Sequence, residues 1–129
     1  MAAIPQTHRD LFDKKSFAHL ATIGPDGAPQ VNPVWFDWDG TNLRFGQITT
    51  RQKVRNLRRD ARIAVAIVDP ANPIRYLEIR GVARLAPDPE LELTHRLAKK
   101  YLGLDRFPYA QPGEERIQVV VEPRHVTYQ

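Results

Sequence analysis

Arg51, Lys53, Arg55, Arg58 and Arg59 put five cations within nine positions, and Asp60 is the only carboxylate in the surrounding stretch Thr49–Asp60. The spacing predicts a short helix capped by Thr50. Arg51 and Lys53 then fall in its first turn, where free backbone N–H groups already concentrate positive charge. Arg51 and Arg55 also lie four apart on one face, and like charges at that spacing repel by a few tenths of a kcal/mol. A solvated charged face is one reading of such a run. The other is a site for an anion, with the planar fork of Arg51 and the point charge of Lys53 closing on a phosphate.

Little else in the chain could do chemistry unaided. There is no cysteine, so disulfides, thiolate nucleophiles and cysteine-held metals are excluded. His8, His19, His95 and His125 are scattered, without second ligands at metal-site spacing, so no metal is expected. The phosphate-loop, dinucleotide-glycine and nucleophile-elbow patterns are absent. An enzyme built from these residues would draw its reactivity from a cofactor. Trp35, Phe36 and Trp38 cluster on one predicted strand, with Trp35 on the face opposite the other two. One of those faces packs the core; the other meets a subunit or lines a slot for a planar ring. Further on, Tyr76, Glu78, Arg80 and Arg84 alternate with Leu77, Ile79 and Ala83. That polar face suits solvent, a subunit interface or a wet cofactor pocket.

The elements that must position these residues follow from patterning. A helix over Pro5–Lys15 presents Leu11 and Phe12. Strands are expected at Phe17–Ile23, Val31–Asp37 and Leu43–Ile48, joined by Gly24-Pro25-Asp26-Gly27 and Asp39-Gly40, as an antiparallel meander. After the basic helix come Ile63–Val68, the loop 69–73, and a long strand Ile74–Leu85 with Gly81 at a bulge or bend. A helix Asp88–Leu102 follows, stopped by Gly103, with Leu93, Leu97 and Tyr101 on one stripe. Residues 106–115 read as loop, and Ile117–Val121 as a last strand reaching towards Tyr128. Six strands and three short helices imply a mainly β (α+β) fold, a small closed or partly closed barrel.

The 129 residues, 42% hydrophobic and 26% charged, suit one globular domain over 1–129. No apolar run nears the roughly 18 residues of a membrane span, and the first residues carry no secretory pattern; the expected location is cytoplasmic. A net charge of +4 permits nucleic acid as partner. However, the aromatics lie on a strand that also needs core residues, which argues against a stacking platform.

The order of segments is recognisable. Phe17-Ala18-His19-Leu20-Ala21-Thr22-Ile23, Pro25-Asp26-Gly27-Ala28-Pro29-Gln30-Val31 and Val34-Trp35-Phe36 resemble the opening of the pyridoxamine 5′-phosphate oxidase-like split β-barrel proteins that bind flavins and deazaflavins. Arg51–Arg62 is similar to that family's cofactor-phosphate segment, and Arg75–Gly81 to its long central strand. The Lys-x-x-Asn-Leu-Arg-Arg-Asp pattern and short chain most resemble the actinobacterial reductases using the deazaflavin coenzyme F420. The resemblance implies a six-stranded antiparallel split barrel of the FMN-binding type, a homodimer with cofactor sites at the interface, and hydride transfer to an electron-poor small-molecule substrate. It implies that Arg51 and Lys53 meet the cofactor phosphate, that Arg55 and Asn56 of the same segment also belong to the cofactor site, and that Thr49 and Thr50 form the loop leading in. Gln30, Asn32, Val34 and Trp35 would lie beside the ring, while Tyr76 and Glu78 face the dimer contact or the partner's cofactor. Arg58 and Arg59, with Arg55, would rim a longer acidic tail. FMN is the alternative cofactor, and a non-catalytic cofactor-binding protein the alternative role. The segment 106–115 is expected to set substrate choice, and no catalytic side chain is assigned.

Overall fold

A computed structural model of the chain describes residues 2–129. The strands are β1 (Ala18–Ile23), β2 (Pro29–Val34), β3 (Asp37–Trp38), β4 (Leu43–Ile48), β5 (Arg62–Asp69), β6 (Asn72–Pro87) and β7 (Arg116–Tyr128). They form one curled antiparallel sheet in the order β2-β1-β5-β6-β7-β4-β3. Two α-helices, α1 (Gln52–Arg59) and α2 (Glu92–Leu102), and a 3-10 helix at Gln6–Phe12 complete it.

This is the expected mainly β split barrel with three helices, but the strand between Val31 and Asp37 divides in two, giving seven strands rather than six. The expected meander is also wrong. β1 and β2 form a hairpin, yet β4 pairs with β7 and β3 at the far end of the sheet. The reason is in β2 itself. Pro29 and Pro33, four apart, remove two donors from the same side of the strand, which restricts it to a sheet edge. The chain therefore leaves β2 at Trp35-Phe36 and crosses to the other end.

The core lies on the concave side. β5 buries Ile63, Val65 and Ile67 while Ala64, Ala66 and Val68 stay half-exposed, the alternation of a strand with one buried face. Leu77, Ile79 and Ala83 are buried and Arg80 and Arg84 exposed, as the alternation on β6 predicts. Phe36 and Phe45 are fully buried, and Trp38 packs on this core with its ring stacked 4.5 Å from Phe12. At Gly81 the register slips: Arg80 pairs with His125 and Gly81 with Pro123, so Arg124 is unmatched. A Cβ on Gly81 would collide with the Glu122 carbonyl, so this bulge requires glycine.

The helices start later than their sequences predict. Arg51, not Thr50, occupies the cap position of α1, and no side chain caps it. Asp88 does not begin α2. It is buried and accepts hydrogen bonds from the Thr94 N–H (3.3 Å) and hydroxyl (3.2 Å), while Leu91 takes a left-handed turn (φ 59°) into the helix. Gly103 (φ 73°) closes α2, as expected, through N–H donation to the Lys99 carbonyl. Within the N-terminal segment a 3-10 helix replaces the expected helix Pro5–Lys15.

Candidate functional site

α1 is seated by an amide network rather than by charge. Val54 and Leu57 turn into the core, and Asn56 beside them is fully buried. Asn56 Nδ2 donates to Thr22 Oγ1 (3.0 Å) and Gln30 Oε1 (3.2 Å), while Gln52 Nε2 donates to Asn56 Oδ1 (2.8 Å). Gln30 in turn donates to Asn32 Oδ1 at 2.7 Å. Arg59 donates to the Ile23 carbonyl, so it clamps the helix to β1 instead of joining a free rim. Arg55 folds back onto the Thr50 carbonyl (2.9 Å) and Gln52 (2.8 Å).

Arg51, Lys53 and Arg58 remain. Among the described residues, none of the five cations of this segment reaches a carboxylate, because Asp60 is held by Arg62 at 2.6 Å. That guanidinium brings the Asp60 pKa down to about 2, so the carboxylate stays ionised and committed. Lys53 is 9% exposed and its ammonium has no hydrogen-bond partner among the described residues. Burial, and after it the Arg51 charge, pulls its pKa below the ordinary lysine value. A partly desolvated ammonium without a protein partner, at the positive end of a helix, is a favourable place for an anion.

Beside this helix end lies a cavity of about 580 Å3, with Arg51 on its wall. Val34 and Trp35 form one side, and the end of β4 (Gly46, Gln47, Ile48) another. The Trp35 ring is stacked on Tyr101 at 5.0 Å. Tyr101 donates to the Ser16 carbonyl at 2.7 Å and accepts the Phe36 N–H at 3.2 Å; burial pushes its pKa up to about 12. Next to it the Lys100 ammonium donates to the carbonyls of Phe12 and Phe36, both at 2.8 Å, tying α2 to the β2–β3 connection. The outer wall comes from the segment 106–115 through Phe107, Tyr109, Gln111 and Glu114. The cavity thus has aromatic sides and a cation at one end, which suits a flat conjugated ring carrying a phosphate.

Of the residues singled out from sequence, Val34, Trp35 and Arg51 meet at this cavity. Gln30, Asn32 and Asn56 meet one another in the amide network, Lys53 is on α1 outside the cavity lining, and Thr49 and Thr50 lead from β4 into α1. Thr49 donates its backbone N–H to Glu115 (3.0 Å), coupling that lead-in to the outer wall. Tyr76 and Glu78 lie elsewhere, on the stretch of β6 paired with the end of β7, where Glu78 accepts the Thr127 hydroxyl at 2.8 Å. Sequence reasoning missed Phe17, Thr94, Leu97 and Arg116 on the cavity wall. For Phe17 a signal existed: an aromatic residue just before a strand whose next position, Ala18, is buried must point outward.

No helix among the described residues is long and apolar enough to cross a membrane. The described residues hold no group of three His, Asp or Glu placed to bind a metal ion. The family model described as pyridoxamine 5′-phosphate oxidase matches residues 4–129. A solved structure named F420 reductase is 39% identical, superposes with a TM-score of 0.86, and is matched over 98% of this chain and 100% of its own. Rv2991 from Mycobacterium tuberculosis is 26% identical, with a TM-score of 0.76 and coverage of 98% and 84%. HupZ of Group A Streptococcus, 19% identical with a TM-score of 0.72 over 98% and 94%, shares the fold. With its cation-tipped helix, aromatic cavity and nearly whole-length match, this chain belongs to the pyridoxamine 5′-phosphate oxidase family.

Proposed function

We propose that the protein is a coenzyme F420-dependent oxidoreductase that reduces an electron-poor small molecule. The observation that carries this reading is the positive end of α1: Arg51 on the wall of an aromatic cavity, with Lys53, which has no carboxylate partner among the described residues, two positions on. Lys53 and Arg51 take the cofactor phosphate, which supplies the missing counter-charge at the helix end. The 39% identity to a protein named F420 reductase supports the deazaflavin over FMN. When bound, the reduced deazaflavin supplies the hydride.

The chain's own share is placement and shelter. Trp35, braced by Tyr101, and Val34 give the ring a rigid apolar side. The outer wall at 107–114 keeps water from the face where transfer occurs. The accompanying proton is drawn from solvent at the open mouth. In this reading the active form is a cytoplasmic homodimer, with Tyr76 and Glu78 turned towards the partner.

Fluorescence titration with F420 and with FMN, on the native chain and on Lys53→Ala, tests the proposal. Native binding and a loss of about 10- to 100-fold in the variant are expected, the size of a charge-assisted contact. If the native chain binds neither cofactor, the functional reading fails. Equal affinity of the variant removes Lys53 from the site.

A further inference from the structure

The outer wall of the cavity is a loop, and loops hold a shape only where something fixes them. Here the fixing contacts form a chain. The Phe107 N–H donates to His95 Nδ1 on α2 at 2.9 Å. The Phe107 ring stands edge-on to Trp35, 6.2 Å between centroids at 85°, and edge-on to Tyr109 at 5.6 Å. The Arg116 guanidinium lies 4.7 Å from the Phe107 ring centre. Arg116 is held by Glu114 at 3.0 Å, and the other Glu114 oxygen accepts the Gln111 N–H at 2.6 Å.

In this chain of contacts, only His95 joins the loop backbone to a helix. Because Nδ1 accepts a hydrogen bond, the imidazole carries its proton on Nε2. The rest of the wall is built from contacts among residues 107–116 and with Trp35, and its far end is tied to the lead-in of α1 by the Thr49 N–H on the Glu115 carbonyl at 3.0 Å. Freed from His95, the stretch around Phe107 would be held only at its two ends, by the close of α2 and by the Glu115 anchor. Phe107 and Trp35 would then no longer make a right-angled aromatic corner.

We propose that His95 is a positioning residue for this site: by holding the Phe107 N–H it fixes an aromatic corner that admits a flat conjugated ring, cofactor or acceptor, and turns away non-planar ones. This rests on the cavity being the ring site of the proposed oxidoreductase. It separates the site into two halves with different chemistry. Lys53 and Arg51 read the phosphate; His95, through Phe107, governs the ring.

Two flavins that differ only by the phosphate separate the halves. Riboflavin and FMN are titrated by fluorescence quenching against the native chain, His95→Ala, His95→Asn, Phe107→Ala and Lys53→Ala, with F420 titrated against the native chain. Amide hydrogen exchange at residue 107 is followed in the proteins without ligand. His95→Ala is expected to speed exchange at 107 and to weaken riboflavin and FMN by the same factor, about fivefold, the size of one hydrogen bond. Phe107→Ala mirrors the binding loss. His95→Asn, whose side-chain oxygen replaces the Nδ1 acceptor, restores both measurements. Lys53→Ala weakens FMN alone. Unchanged exchange at 107 in His95→Ala, or intact binding of both flavins, overturns the proposal and leaves the functional reading standing. If the native chain binds neither flavin nor F420, that reading falls and the proposal with it.

Discussion

Two clusters of charge sit in this molecule and behave in opposite ways. In one, Arg75 bridges Asp10 (2.6 Å) and Asp69 (2.9 Å), and Lys14 reaches Asp69 at 2.9 Å and Asp10 at 3.7 Å. Asp69, only 5% exposed, also accepts the Ala71 N–H at 2.9 Å. Every charge there is answered, and the cluster ties the N-terminal helix to the turn between β5 and β6. In the other, at α1, Arg51, Lys53 and Arg58 have no carboxylate among the described residues. The difference teaches what each is for. Paired charges at the rim of a fold hold two segments in register. A cluster of cations without a protein counter-charge is a place where an anion from outside the chain is favoured.

The contrast can be tested by removing one feature at a time. The largest effect is expected at Asn56, because α1 is held by amides rather than ions. Asn56→Ala strands Gln52, Gln30 and the Thr22 hydroxyl, and denaturant unfolding should show a loss of about 2–3 kcal/mol. A negligible loss would mean that ions seat the helix after all. Next comes Lys53→Met. It should weaken FMN or F420 by about 10- to 100-fold while raising the unliganded protein's stability by up to about 1 kcal/mol, since a desolvated charge is gone. A Lys53→Met protein that is less stable would place that ammonium in a structural role.

The paired cluster makes the opposite prediction. The Asp69 carboxyl is held well below its usual range, first by the Ala71 N–H and then by Lys14 and Arg75. A depressed folded pKa means that the unfolded chain takes up protons first as the pH falls. The stability from Asp69 is therefore complete above about pH 4 and is lost below it, as the pH nears the folded value. Melting temperatures from pH 7 to 2 should show Asp69→Asn less stable at pH 7, with a shallower acid limb, and flavin affinity unchanged. The smallest effect belongs to Arg58, exposed and unpaired. Arg58→Ala should leave stability within about 0.5 kcal/mol and weaken F420 only modestly, the difference vanishing at high salt. An undiminished difference at 1 M salt would mean a direct, desolvated contact.

Much of the fold was legible. Alternation on β5 and β6 told which side chains face the core, and Gly81 marked the bulge because only glycine tolerates the Glu122 carbonyl there. The edge position of β2 was also written in Pro29 and Pro33. It was overridden by the turn signals around it, which tell that strands are consecutive but not which of them pair. The site was legible in part. The unanswered charge of residues 51–59 and the face-switching of Trp35 against Phe36 are local facts. The outer wall was not, since Phe107 and Tyr109 in a loop without periodicity carry no sign of where they land.

By itself the sequence determined a cation-rich helix short of carboxylates and a cluster of aromatics, Trp35, Phe36 and Trp38, between the first hairpin and β4. These depend on residue types at short spacing. Tertiary structure alone decided that Arg59 is occupied by the Ile23 carbonyl while Lys53 has no carboxylate partner among the described residues. It alone brought His95 on α2 to the backbone of Phe107. The reason is physical: a polar group is free or committed according to what the fold brings within about 3–4 Å of it, and for Arg59 and for the Phe107 N–H those partners lie on β1 and α2.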